Sequence, residues 1–326
     1  MTTGAAELLH ETPTRVEIPA RSPLALAWRR LRRDRVAMGG LVFIVVLLLV
    51  AVFAPLIVDL AGAPPYNRGD TEALDEFGTA TGPSSDHLFG VEDRTGRDVF
   101  SRVVYGARVS LAVALAGTAL SVLVGVMAGM LAGYYRGWVD TLLSRLMDVL
   151  LAFPILLLAV GVASACSIGG NQSCLGGLVE PGLGVVVLAI ALTGWPYIGR
   201  IIRGQVLSLR EREFVEAARA TGASGRRILV AEILPNLAAP IVVYATLVIP
   251  QNVLFEAALS FLGVGAQDPT PSWGIMIADA APSFDTAWWW MLFPGLALLL
   301  TVLAFSLLGD GLQDALDPRR KEARAA

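Results

Sequence analysis

The sequence has few charged residues and almost no lysine, histidine or cysteine. Charged residues make up 16% of the 326 positions, against about 25% in an ordinary soluble domain. The formal net charge of −3 leaves no basic surplus for binding nucleic acid. Two histidines and two cysteines are too few for a metal cluster. The single lysine, Lys321, follows arginine rather than glycine, so the chain has no P-loop for the phosphates of ATP.

Apolar residues are correspondingly abundant, at 55% of the chain, and the mean hydropathy is +0.64. A soluble fold cannot hide that much apolar surface, since its core shares the chain with a polar exterior. Strongly apolar runs occupy residues 36–58, 109–133, 149–165, 181–199, 233–255 and 286–309. Runs of about 20 continuous apolar residues are typical of membrane helices rather than of a β-barrel. The sequence therefore predicts an all-α integral membrane protein with six transmembrane helices.

The distribution of arginine between the connections predicts the orientation. The first 35 residues contain seven arginines, residues 203–227 contain six, and the last eight residues contain four basic side chains. The alternate connections 166–182 and 264–287 contain none. Because basic residues collect on the cytoplasmic side, both termini are expected in the cytoplasm. Cys166 and Cys174 then lie in an external loop, where a disulfide and two free thiols are both open alternatives.

The connection after the fourth span predicts a short cytoplasmic helix. Ser208 and Glu211 form the S-x-x-E pattern of a capping box, which predicts a helix start. Gly222 can adopt the left-handed conformation that ends a helix. Such an element is either a solvated connector or a docking site for a cytoplasmic partner, and the residues alone leave both alternatives open.

Charged residues near the spans are candidates for a structural or a transport role. Glu256 lies inside the fifth span, where a charge faces protein or a watery cavity. Arg200 and Arg203 are its candidate partners, in an intramembrane ion pair or along a translocation pathway. Arg145 and Asp148 are expected to pair locally at i, i+3. The apolar spacing at residues 96–105 predicts an amphipathic helix, which either lies on the outer interface or packs as a small helix against the protein.

Several ordered motifs carry a resemblance to a known family. Glu216-Ala-Ala-x-x-x-Gly222, followed by Ile233-Leu-Pro235, resembles the EAA loop of ABC importer permeases. Further segments resemble the "C" permease of the dipeptide/oligopeptide group: residues 87–98, 101–110, 132–140, 259–274 and 308–318. The likeness covers residues 24–320. One departure is Glu232, where the family usually has histidine.

The resemblance implies the type I ABC importer transmembrane fold and a division of the chain. It places a cytoplasmic tail at residues 1–35, the first transmembrane helix at 36–58, an external loop at 59–106, a core at 107–310 and a cytoplasmic tail at 311–326. Within the core, spans are expected at about 108–133, 144–165, 183–203, 239–262 and 288–309, with a coupling loop at 204–238.

The resemblance also implies a function in the cytoplasmic membrane. The chain is expected to be a non-enzymatic subunit that forms half of a pathway for di- or oligopeptides. The same machinery for nickel or another small solute is the first alternative, and an ion-driven secondary transporter is the second. The implied partners are a second permease subunit, two ATPase domains, an external solute-binding protein and membrane lipids. The chain needs no cofactor, since the ATPases would bind ATP and magnesium. Residues implied to dock the ATPase are Glu213, Phe214, Glu216, Ala217, Ala218 and Gly222.

Overall fold

The structure, a computed structural model, describes residues 28–76, 78–167 and 182–316. Within these ranges the regular secondary structure is helical, and β-pairing is limited to isolated bridges. The helices are α1 (Arg35–Val52), α2 (Ala54–Leu60), α3 (Val99–Tyr135), α4 (Gly137–Ala152), α5 (Ile155–Ser167), α6 (Leu183–Leu209), α7 (Glu213–Ala220), α8 (Gly225–Phe261), α9 (Trp273–Ala280) and α10 (Trp288–Leu316). Residues Ile228–Ile233 of α8 have π-helical geometry.

Five helices, α1, α3, α6, α8 and α10, are long and apolar enough to cross a membrane. The pair α4 and α5 passes the same test as a unit bent by 96°. The bend lies at Phe153 and Pro154, since proline cannot donate to the helix and forces the preceding residue into the extended conformation. Counted as one broken span, this pair makes six, which confirms the predicted all-helical membrane fold.

The closest helix packing joins α3 to α6 along a row of glycines. A Cβ atom added at Gly125 would lie 2.7 Å from the Ile198 side chain, and one added at Gly129 would lie 2.5 Å from the Gly199 carbonyl oxygen. Small residues at such positions allow two backbones to approach each other in a membrane. The α3–α6 pair is therefore closely packed in the described fold.

The segment between α2 and α3 forms a cap that packs on α10. Trp289 donates its indole N–H to the Val91 carbonyl oxygen at 3.1 Å. Phe89 stacks on Phe293 with ring centroids 3.9 Å apart. These contacts hold the cap against one end of the helix bundle.

The predicted helix at residues 96–105 packs against the protein rather than lying on the outer interface. Residues from Val99 onward are the first turns of α3, and Asp98 caps this helix by accepting from the Ser101 N–H at 2.7 Å. Val99, Ser101 and Arg102 are buried, and Arg102 pairs with Glu92 at 2.5 Å. The apolar periodicity correctly predicted a helix here. The cap covers the apolar face of this helix, so that face does not contact lipid.

Candidate functional site

Helix α7 has one fully buried side chain, and the half-buried Ala218 packs against the same apolar cluster as this side chain. Val215 is its buried residue, at 0% exposure. Val215 packs in an apolar cluster with Val206 of α6 and Ile228 of α8. The carboxylates of Glu213 and Glu216 lie exposed in the first turn, where they complement the positive end of the helix dipole. Val215 is therefore the main apolar anchor of α7, and most of the other side chains of this helix are exposed.

The predicted start of this helix is wrong and its predicted end is confirmed. Ser208 lies inside α6, and the N-cap of α7 is Arg212, without a side-chain capping bond. Packing of the last turn of α6 in the Val215 cluster, through Val206, outweighs the local S-x-x-E signal. At the other end, Gly222 has φ +81°, as expected for a helix terminator.

The end of α7 is a Schellman motif. The Gly222 N–H donates to the Arg219 carbonyl oxygen, and the Ala223 N–H donates to that of Ala218, both at 3.0 Å. The two bonds match the 5→2 and 6→1 pattern of this motif, which satisfies carbonyls left over at a helix end. Helix α7 is consequently a short, well-terminated element rather than a fraying connector.

The base of α7 is tied to the end of α3. Arg210 donates to the Tyr134 carbonyl oxygen at 2.7 Å, and Arg136 pairs with Glu211 at 2.6 Å. The Arg219 guanidinium lies 5.7 Å from the centroid of the Tyr134 ring. A displacement of α7 would therefore act on α3 as well as on α6 and α8.

A groove of about 430 Å³ runs beside α7. Glu232 is half-buried in its wall, and its carbonyl oxygen accepts from the Asn236 amide at 2.7 Å. The groove combines apolar surface with charges of both signs, which suits contact with another protein. Its lining residues are Phe214, Ala217, Ala218, Thr221, Gly222, Ala223, Arg227 and Glu232.

The predicted ion pair between Glu256 and an arginine of α6 is wrong. Arg200 pairs with Asp148 at 2.5 Å, and Arg203 binds Asp140 through two bonds of 2.6 and 2.8 Å. Both arginines lie near the C-terminal end of α6, which meets the N-terminal end of α8 around Val215. Glu256 lies toward the opposite end of α8, out of their reach.

The acidic partners of the two arginines share one face of α4, and sequence reasoning missed this. Asp140 and Asp148 are separated by eight residues, with Ser144 between them, and the Ser144 hydroxyl donates to Asp140 at 3.0 Å. A spacing of four residues places side chains on one helix face. This spacing could have predicted from the sequence that the two aspartates share a face. The predicted pairing of Arg145 with Asp148 is wrong because Asp148 turns instead toward α6.

Glu256 instead belongs to a buried hydroxyl cluster. Its side chain is 0% exposed, and the Ser260 hydroxyl donates to its Oε1 at 2.8 Å. Ser110 and Ser272 lie beside the same carboxylate. The cluster thereby joins α3, α8 and the start of α9, far from α7. No sequence pattern distinguishes these serines from others in the chain, so the cluster was not predicted.

Charged pairs also fix the cap to the segment before α9. Arg97 donates to Asp268 at 2.9 Å, and this bond holds the pKa of the Asp268 carboxyl below its usual range. Burial raises the pKa of Glu92, against the opposing effect of Arg102. The described residues contain no group of three or more side chains suited to a metal ion. Cys174 and the side chain of Cys166 lie outside the described residues, so a disulfide and two free thiols both stay open.

Known proteins resemble this chain over nearly its whole length. Residues 125–322 match the family described as binding-protein-dependent transport system inner membrane component. Residues 22–75 match the N-terminal TM domain of oligopeptide transport permease C.

Two curated relatives illustrate the similarity. The dipeptide transport system permease protein DppC of Alkalihalophilus pseudofirmus is 41% identical over 311 residues, 95% of this chain and 94% of the relative. The glutathione transport system permease protein GsiD of Shigella flexneri is 44% identical over 301 residues, 92% of each chain.

A solved structure has the same fold. A chain of the MetNI methionine ABC transporter, in an inward-facing conformation, superposes with a TM-score of 0.53 at 18% identity. The match covers 67% of this chain and 97% of that one. The two chains thus share one helical fold over the matched residues.

Proposed function

This chain belongs to the family of binding-protein-dependent transport system inner membrane components, and from that premise we propose that it serves an ATP-driven importer of di- or oligopeptides. It is a multi-pass protein of the cytoplasmic membrane and a transport subunit rather than an enzyme. The observation that carries the peptide assignment is the identity of 41% and 44% to permeases named for a dipeptide system and for glutathione. Both solutes are small peptides.

Membership of the family implies ATPase and solute-binding-protein partners in general. The specific assembly proposed has this chain paired with a second, similar permease, two ATPase domains and one external solute-binding protein. ATP and magnesium would be bound by the ATPases, and this chain would supply half of the pathway without a cofactor of its own.

Within that assembly, α7 and its groove are the proposed docking site for an ATPase. The proposed contacts are Glu213, Phe214, Glu216, Ala217, Ala218 and Gly222. Three features support this role: α7 is firmly terminated, its outer surface is open, and its base contacts several spans. A rigid-body shift of the ATPase would be transmitted through Val215 to α6 and α8, whose movement changes access to the pathway.

The pathway itself is proposed to include the Arg200–Asp148 pair. The two side chains are 56% and 52% exposed although they lie on apolar helices. Charges in membrane helices face protein or water rather than lipid, which favours a hydrated cavity on this side of α6. Arg203 is less exposed, and its pairing with Asp140 joins the same two helices, α6 and α4. Glu256 is sealed from any cavity and is assigned a structural role instead.

The docking proposal is tested by reversing one charge on α7. In the complete transporter, Glu216→Arg is expected to reduce ATPase co-purification and peptide uptake at least tenfold. Glu76→Arg, at another exposed glutamate in the cap, is the matched control and should change neither quantity. Wild-type ATPase content and uptake in the Glu216→Arg transporter would contradict the assignment.

A further inference from the structure

An arginine-rich segment precedes the first membrane helix. Arg29, Arg32, Arg33 and Arg35 are exposed, and α1 begins at the last of them. We infer that these four residues, the arginine collar, form a binding site for the phosphate headgroups of anionic phospholipids. This role is separate from the docking of an ATPase at α7.

The collar is held in a defined position. Leu31, at 4% exposure, packs with Ala37 of α1 and Ala315 of α10. Arg30, whose side chain turns away from the collar, donates to the Ala315 carbonyl oxygen at 3.1 Å. The backbone that carries the collar is therefore docked against the C-terminal end of α10, so a ligand does not have to order this backbone.

The four guanidinium groups of the collar are not neutralised by a direct ion pair in the described part of the chain. None of them forms an ion pair there, and the nearest acid in sequence, Asp34, is already engaged. Its Oδ1 accepts from the N–H groups of Val36 and Ala37, at 2.9 and 3.1 Å. Four arginines without an ion pair, carried on a docked backbone, favour an anionic ligand.

The position of the collar identifies the ligand as lipid. Helix α1 is strongly apolar from its first turn, so the preceding residues lie at the depth of the headgroups. Trp28 is 44% exposed and lies under the Arg32 guanidinium, 4.8 Å from its ring centroid. Tryptophan prefers this boundary between apolar and polar layers.

The side-chain chemistry fits a phosphodiester. The planar guanidinium can donate two parallel hydrogen bonds to phosphate oxygens, which lysine cannot do. Clusters of four or more basic residues beside a membrane helix bind anionic lipid, with each residue contributing roughly a fivefold gain in binding. A membrane of zwitterionic lipid alone would leave this charge uncompensated.

The test measures lipid retained by the intact transporter. The complex, with its ATPases, is reconstituted in phosphatidylcholine containing phosphatidylglycerol, re-extracted in mild detergent and analysed for both lipids. Arg29→Gln/Arg33→Gln is compared with Arg68→Gln/Arg94→Gln, which removes two exposed arginines of the cap. The collar variant should retain at least fivefold less phosphatidylglycerol, with phosphatidylcholine unchanged, and the cap variant should match wild type.

Two further measurements keep the inference separate from protein docking and from misfolding. Arg29→Lys/Arg33→Lys, which preserves the charge and the fold, should retain more phosphatidylglycerol than the glutamine variant but less than wild type. The ATPase content, measured in the same samples, should be normal in all three variants. Wild-type phosphatidylglycerol in the glutamine variant would overturn the inference, as would a loss of ATPase with the lipid unchanged, since the collar would then bind protein.

Discussion

At the scale of single residues, Gly222 has a backbone conformation that other residues adopt at a cost. An added Cβ would meet nothing within 4 Å, so Gly222→Ala tests the conformation without a clash. The left-handed conformation costs an L-residue about 1–2 kcal/mol. We expect α7 to open roughly five- to thirtyfold more often, measured by trypsin cleavage at Arg219 under conditions where closing is fast.

Gly204 provides the control for this substitution. It lies within α6, its φ is not positive, and an added Cβ would again meet nothing within 4 Å. Gly204→Ala should leave cleavage at Arg219 unchanged, since alanine favours a helix interior. Equal cleavage rates for Gly222→Ala and wild type would show that the Schellman motif does not hold α7.

A second prediction at this scale concerns Glu256. Glu256→Gln keeps an acceptor for the Ser260 hydroxyl, whereas Glu256→Leu leaves buried hydroxyls unsatisfied at about 1–3 kcal/mol each. The glutamine variant should assemble and transport like wild type, and the leucine variant should lower the melting temperature of the purified transporter. Loss of uptake in a normally assembled glutamine variant would instead give the carboxylate a direct part in transport.

Residue pairings were the features that the sequence predicted least well. Glu256 and Arg203 are both charged residues in apolar surroundings. The sequence alone does not show whether the two side chains lie at the same level of the membrane. The structure separates them and pairs Arg203 with Asp140. Gly222 was predictable because the need for positive φ is a local property of the chain.

At the scale of elements, Val215 is the one fully buried side chain of α7. Val215→Ala removes two buried carbons, worth about 1.5 kcal/mol. We expect roughly tenfold faster hydrogen exchange in α7 and weaker coupling of ATP hydrolysis to uptake. Val230→Ala is the matched control, since Val230 is 56% exposed, and it should leave α7 exchange unchanged. Identical hydrogen-exchange rates of α7 in the two variants would show that Val215 does not anchor this helix.

The membrane helices were predictable as elements because span length follows from bilayer thickness. The ends of these helices were less predictable. Helices α3 and α8 extend well beyond their apolar runs, because helical turns with polar residues continue where tertiary contacts support them. The failed capping box at Ser208 has the same cause. The break at Pro154 divides what the hydropathy pattern presents as one span.

At the scale of the whole molecule, the distribution of arginine predicts that α7 and the cap lie on opposite sides of the membrane. In a background with both cysteines replaced by serine, Arg68→Cys should react with an impermeant maleimide added to intact cells. Glu213→Cys should react only after the membrane is opened. Labelling of both positions from outside would contradict the predicted orientation.

The overall fold and the family were accessible from sequence, because six apolar runs and several motifs agree along the chain. The exposed Arg200–Asp148 pair and the position of the arginine collar beside α10 were not, since each depends on contacts between helices distant in sequence.

The most direct test of the account is a photo-crosslink from Ala217, which lies in the α7 groove. A photoreactive amino acid at this position, irradiated in the assembled transporter in its native membrane, is predicted to crosslink to an ATPase subunit. The same group at exposed Glu76 in the cap should not. Two results would contradict the central claim that α7 binds the ATPase and transmits its movement to the membrane helices. One is a crosslink from Ala217 to the solute-binding protein, and the other is the absence of any crosslink in an active transporter.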